Sequence, residues 1–378
     1  MSSTLTRRGL ARLLGATAGA ALLDTRFPKA LSGEAPPSAP ASGPIRLSAN
    51  ENPYGPCAAS LQALSGSAAE AARYPGAIER GMREAIAKHH GVSTDRIVLG
   101  SGSSEVLRMA DCAFVPPGKT LVAAEPTFEA VLNYCKATRG ESVKVPLTAD
   151  HRHDLPKMAA ACDASTGMVY VCNPNNPTGT IVAGDELAAF VERVPPTCVV
   201  LIDEAYHHFV ESPKYKSALE LAARHDNVVV ARTFSKVYGM AGMRLGYGVA
   251  SPTSAALMES HTAWDNTSQS ALAMGLAALA DPHVVADQRR KLNDARRWLC
   301  AELEKDGRRY IPSEANFVMI DVGTDVAPVI HEFAARGIQV GRKFPSMGNW
   351  LRVSIAKPDD MRAFVAALRE VAPARAAA

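Results

Sequence analysis

No apolar stretch of this 378-residue chain is long enough to cross a bilayer as a stable helix. Neither sign of charge dominates: 41 Lys and Arg face 38 Asp and Glu, leaving a net charge of +3. That near balance argues against a dedicated nucleic-acid binder, which carries a basic excess and a basic stripe. The seven cysteines, at 57, 112, 135, 162, 172, 198 and 300, are odd in number and contain no C-x-x-C pair. Neither a disulfide framework nor a zinc site is suggested, and buried or half-buried free thiols are expected. There is no internal repeat and no long charge block. A dinucleotide fingerprint is lacking too, because Gly100-Ser-Gly-Ser-Ser-Glu105 has Glu105 where G-x-G-x-x-G needs its third glycine. What remains, with 47% apolar and 21% charged residues, is ordinary globular protein of a length that suits two domains.

Residues 1–44 stand apart. Arg7 and Arg8 precede a small-residue, apolar run from Gly9 to Leu23, basic first and apolar second, which reads as an export signal. Thr6-Arg7-Arg8-Gly9-Leu10-Ala11-Arg12 resembles the twin-arginine class of signals, so a periplasmic or exported location is expected, and a cytoplasmic one if the leader does not function. Residues 31–44 are a Pro/Ala/Ser linker, with Ala39-Pro40-Ala41 as a candidate cleavage site.

From Leu47 onward short β-branched runs alternate with amphipathic stretches, the pattern of a parallel sheet covered by helices. Strands are expected at Arg96–Gly100, Thr120–Ala124, Ser142–Pro146, Gly167–Val171, Cys198–Asp203, Val228–Thr233 and Gly246–Val249, with helices at Glu79–His90 and Ser104–Phe114. Beyond Ser270 a long Ala/Leu-rich helical stretch precedes strands at Ala315–Val322, Ile338–Val340 and Trp350–Ile355. The expected organisation is a segment 45–72 joining a smaller α+β domain at 270–378, around a large domain at 73–269.

Ligands of open α/β sheets bind at the carboxyl ends of the strands. Asp203-Glu204-Ala205-Tyr206 follows one strand; Phe234-Ser235-Lys236 follows another, with Arg244 eight residues beyond the lysine. Taken singly, Asp203 reads as a helix cap and Lys236 as a solvated surface residue. His89-His90, His151, His153 and His207-His208 lack supporting carboxylate or thiol spacing, so no metal is expected and they read as solvated or capping. Trp264, Trp298 and Trp350 read as packing residues.

Together with Asn173-Pro174-Asn175-Asn176-Pro177-Thr178-Gly179 and Gly100-Ser-Gly-Ser-Ser-Glu105, however, the set resembles the aspartate-aminotransferase-like fold of pyridoxal-phosphate enzymes, and within it the histidinol-phosphate aminotransferase branch. Leu47-Ser-Ala-Asn-Glu-Asn-Pro-Tyr-Gly-Pro56, Arg73-Tyr74-Pro75, Pro126-Thr127-Phe128 and Leu351-Arg352-Val353 carry the same resemblance, over nearly all of residues 46–357. It implies an α/β fold whose large domain holds a mainly parallel seven-stranded sheet, a pyridoxal 5'-phosphate cofactor, and a homodimer with shared active sites.

The resemblance also implies roles. Lys236 matches the lysine that carries the cofactor and serves as general base once desolvation lowers its pKa. Asp203 matches the carboxylate paired with the protonated ring nitrogen. Asn176 and Tyr206 match the donors to the ring's phenolic oxygen, and Phe128 the aromatic stacked on its face. Ser103 and Ser104 at a helix start, with Ser235 and Arg244, match the phosphate cup. Tyr74 matches a tyrosine that reaches the phosphate from the neighbouring subunit. Arg352 matches the two-pronged grip on the substrate's carboxylate, and Tyr54 should close over the substrate.

Two departures bear on the substrate. The arginine that binds the donor's phosphate in this branch is displaced by one residue, to Arg342, and in a strand that shift would turn the side chain to the opposite face. Ala356-Lys357 replaces the usual Gly-Thr. Expected partners are therefore a small amino donor, histidinol-phosphate-like or an aromatic or other amino acid, and a 2-oxo acid. A decarboxylase or lyase on the same scaffold stays open as a rival class.

Overall fold

A computed structural model describes residues 43–373, so the leader and most of the linker expected at 1–44 lie outside the described residues. In chain order the strands are β1 (Ile45–Leu47), β2 (Ile97–Gly100), β3 (Thr120–Glu125), β4 (Glu141–Pro146), β5 (Thr166–Cys172), β6 (Val199–Asp203), β7 (Val228–Thr233), β8 (Gly246–Val249), β9 (Tyr310–Ile311), β10 (Phe317–Asp321), β11 (Ile338–Val340) and β12 (Trp350–Ser354). The seven expected strands return within one residue at each end and form one sheet in the order β2-β8-β7-β6-β5-β3-β4. Only β8 runs against its neighbours, pairing antiparallel with both β2 and β7.

The central strands are buried at every position and largely apolar because helices cover both faces. Successive side chains point to opposite sides, and the core divides accordingly. Val169, Val171, Val200, Ile202, Val228 and Val230 pack on one side. Met168, Tyr170, Val199, Leu201, Val229 and Ala231 pack on the other. The helix Gly76–His90 ends on Gly91, whose left-handed φ of 66° returns its N–H to the Ala87 and Lys88 carbonyls.

Two small sheets complete the fold. β9, β10 and β12 form an antiparallel trio, while β1 pairs in parallel with β11, so the segment after the linker joins the C-terminal strands. A continuous core containing Leu47, Tyr206, Phe234, Phe317 and Phe364 packs these sheets against the Lys236 side of the large one. The single expected Ala/Leu helix is two, Gln269–Ala280 and Val284–Lys305, interrupted at Asp281-Pro282. β9 escaped expectation because two residues carry no periodicity.

Some expectations are corrected. His153 is 5% exposed, its Nε2 bonded to the Cys172 carbonyl at 2.9 Å, and His90 pairs with the Tyr247 hydroxyl at 2.7 Å, so neither is a solvated histidine. The packing of neighbouring elements, invisible in the local sequence, encloses them. Trp264 is 94% exposed rather than packed, because it sits in the turn before Gln269–Ala280. The cysteines are free, buried or half-buried, as expected.

Candidate active site

Three parallel strands end side by side, and the turns after them carry the chemistry. Asp203 closes β6, Lys236 lies three residues past β7, and Asn176 four past β5. Ser103, Ser104, Phe128, Asn176, Asp203, Tyr206, Ser235, Lys236, Arg244, Arg342 and Arg352 line one cavity of about 340 Å3. Tyr54 and Tyr74 are not brought to it. The Tyr54 ring packs against the core of the small sheets with its centre 5.0 Å from Lys291 Nζ, and Tyr74 is 84% exposed.

Lys236 Nζ donates to the Asn50 carbonyl at 3.2 Å and stands 5.4 Å from the centre of the Tyr206 ring. Burial, helped by the charge of Arg352, lowers its pKa to about 8, against the pull of Asp203. Asp203 is 2% exposed, accepting from the Tyr170 hydroxyl at 2.9 Å and the Ala205 N–H at 3.0 Å. Burial raises this carboxyl to about 6 even so. Neither bond brings a formal positive charge to it, so the site is built for a further cationic partner.

At one end of the cavity the Arg244 guanidinium rests against Gly102. A Cβ on Gly102 would fall 2.2 Å from Arg244 Nη2, and the glycine's φ of +79° admits no side chain without strain. Arg244 Nη1 also donates to the Ala241 carbonyl at 3.0 Å and to Ser235 Oγ at 3.4 Å. The helix Ser103–Phe114 begins beside this guanidinium, adding free N–H groups and the positive end of its dipole. The cradle fits a phosphate.

Across the cavity Arg352, 8% exposed, donates from Nη1 to Asn176 Oδ1 at 2.7 Å and from Nη2 to the Ser48 carbonyl at 2.7 Å. Its Nε is buried with no partner. Tyr206, whose hydroxyl accepts from Asn50 at 3.1 Å and from Asn176 at 3.5 Å, is pushed upward by burial and stays a phenol.

Arg342 corrects the displacement argument. β11 stops at Val340, so strand alternation does not govern Arg342, and its side chain reaches the cavity wall. Residues missed by sequence reasoning are Asn50, held in a left-handed turn at φ 54° by two bonds to Ser354, and Tyr170, Glu129 and Phe344. Tyr170 left a trace as the one phenol in the apolar run of β5; the others are brought in from loops distant in sequence.

A strand-end lysine, a buried carboxylate and an anion cradle on this sheet order define an aspartate-aminotransferase-like enzyme. The chain belongs to the class I and II aminotransferase family, whose sequence profile matches residues 42–368. It is 40% identical over 329 residues to the histidinol-phosphate aminotransferase of Symbiobacterium thermophilum, covering 86% of this chain and 90% of that one. The enzyme of the same name from Moorella thermoacetica is 37% identical over 330 residues, covering 86% and 85%. The crystal structure of histidinol-phosphate aminotransferase from Sinorhizobium meliloti in complex with pyridoxal-5'-phosphate superposes with a TM-score of 0.81 at 28% identity, over 86% of this chain and 90% of that chain. The chain is a pyridoxal-phosphate-dependent aminotransferase.

Proposed function

We propose that this aminotransferase takes its amino group from a histidinol-phosphate-like donor and passes it to a 2-oxo acid such as 2-oxoglutarate by a ping-pong cycle. The observation that carries the reading is the presence of Arg342 and Arg352 in the cavity that holds Lys236. Two cations beyond the cofactor's own phosphate cradle match a donor whose phosphate lies one carbon from the amine-bearing carbon and an acceptor with a carboxylate at each end. The names of the relatives support the same donor.

Bound here, pyridoxal phosphate would supply an electron sink conjugated to the substrate's reacting carbon. The residues divide the remaining work. Ser103, Ser104, Ser235 and Arg244 would hold the phosphate, and Phe128 would cover one face of the ring. Asp203 would keep the ring nitrogen protonated, and Asn176 with Tyr206 would bond the phenolic oxygen. Lys236 would anchor the cofactor between turnovers and, once freed, would take up the proton from the substrate Cα. Arg352 would hold the carboxylate of the 2-oxo acid, and Arg342 would meet a second anionic group.

The same reading includes a homodimer in which Tyr74 reaches the partner's cofactor phosphate, with Tyr54 closing over substrate after a movement. Support for the dimer comes from Tyr74 and Trp264, large side chains 84% and 94% exposed on the single chain. Export through the Arg7-Arg8 leader rests on the sequence.

Single-turnover absorbance tests the donor. Holoenzyme mixed with histidinol phosphate should lose its visible cofactor band far faster than with any amino acid. Fast loss only with aromatic or other amino acids overturns the donor assignment, and no loss with any donor moves the chemistry to a decarboxylase or lyase.

A further inference from the structure

The three arginines of the cavity are not held alike. Arg244 and Arg352 are positioned by neutral groups, namely Ser235, the Ala241 and Ser48 carbonyls and Asn176, so their charge is kept for a ligand. Arg342 alone among them has a carboxylate at hydrogen-bond distance: its Nη2 donates to Glu129 Oε2 at 2.5 Å. The same guanidinium lies 4.3 Å over the centre of the Phe344 ring, and Arg352 approaches that ring at 5.3 Å. The distal end of the substrate pocket is therefore an aromatic face flanked by one available cation and one already neutralised.

Glu129 has somewhere else to go. With Thr127 and Phe344 it also lines an adjoining cavity of about 180 Å3, whose wall includes Lys144, there bonded to Glu125 at 3.0 Å. At 43% side-chain exposure Glu129 is not locked in place, and a half-exposed ion pair of this kind is cheap to open.

We propose that Glu129 is a specificity-determining residue that gates Arg342. Paired, it neutralises Arg342 and leaves Phe344 to receive an uncharged distal group. When a phosphate or a second carboxylate arrives, Arg342 turns its charge to the substrate and the Glu129 carboxylate moves into the adjoining cavity toward Lys144. One site thus accepts substrates whose distal ends differ in charge. The gate rests on the reading that Arg342 meets the substrate's distal anion, and it does not depend on which donor is natural.

The test uses two unreactive probes on the loaded enzyme, each measured by calorimetry. Glutarate needs both Arg352 and Arg342, whereas 3-phenylpropanoate needs Arg352 and the aromatic face alone. Glu129→Gln should tighten glutarate about fivefold, the scale of one half-exposed ion pair, and leave 3-phenylpropanoate within about twofold. Lys144→Met should weaken glutarate and leave 3-phenylpropanoate alone. Unchanged glutarate binding in Glu129→Gln, or equal tightening of both probes, overturns the gate; unchanged glutarate binding in Lys144→Met overturns the landing place. If glutarate tightens as expected while histidinol phosphate fails in single turnover, the gate stands and the donor assignment falls.

Discussion

Arg352 and Asn176, 176 residues apart in sequence, are joined by a 2.7 Å bond from guanidinium Nη1 to amide Oδ1. That bond fixes the amide's orientation, so its Nδ2 faces the Tyr206 hydroxyl at 3.5 Å. On the proposed reading this would link the substrate grip of Arg352 to the cofactor contact of Asn176. Arg352→Lys keeps the charge but loses the planar fork and the hold on Asn176. It should lower kcat/KM about 10- to 100-fold for 2-oxo acids and for donors that carry a carboxylate, mainly through KM, in steady-state assays. An unchanged KM for these substrates would show that the carboxylate is held elsewhere.

On the proposed reading Asp203 would supply the charge that keeps a bound ring nitrogen protonated, and an amide could not. Asp203→Asn should reduce kcat by about 100-fold or more, on the scale of losing a preorganised electrostatic partner. Tyr170→Phe removes only the 2.9 Å donation to that carboxylate and should cost far less. Equal losses in the two variants would mean that Asp203 acts through structure alone.

Cofactor uptake should follow the titration of Lys236. The amine must be neutral to attack the cofactor's aldehyde, so the loading rate of the apoprotein should rise with pH and level off above about 8. Part of that depression comes from the charge of Arg352, so Arg352→Met should move the midpoint to higher pH, as stopped-flow absorbance would record. Lys236→Ala should leave a folded protein with neither the visible band nor turnover.

Burial lowers His153 to about 4 and His90 to about 3. Both are favoured neutral in the fold, so the unfolded chain binds more protons below its ordinary histidine pKa near 6.5. Stability from this source is complete above about pH 6.5 and is lost as pH falls from there toward 4, at roughly 1 kcal/mol per histidine per pH unit. Denaturant titrations between pH 8 and 5 should show the decline, and His153→Gln should make it shallower. A slope indifferent to that substitution would remove His153 from the account.

Changing Arg7-Arg8 to Lys-Lys should retain the protein in the cytoplasm of cells that otherwise export it. Unaltered fractionation would remove the twin-arginine reading of the leader.

The sequence by itself determined the sheet and the parts of the site fixed to its strand ends. The β-branched runs mark the central strands because strands covered on both faces are largely apolar, and the motifs that follow those runs carry the family resemblance from which the roles of Asp203, Lys236 and Asn176 were expected. Only the tertiary structure decided the substrate end. Whether Arg342 faces the cavity depends on β11 stopping two residues before it. Its pairing with Glu129 spans 213 residues between two loops, and neither loop carries a periodicity from which such a contact can be read. Asn50 likewise enters only because β1 joins β11 and carries the following turn under Tyr206 and Lys236. Local pattern sets strands and their ends, whereas the charge balance around a substrate is set by which distant loops the packing brings together.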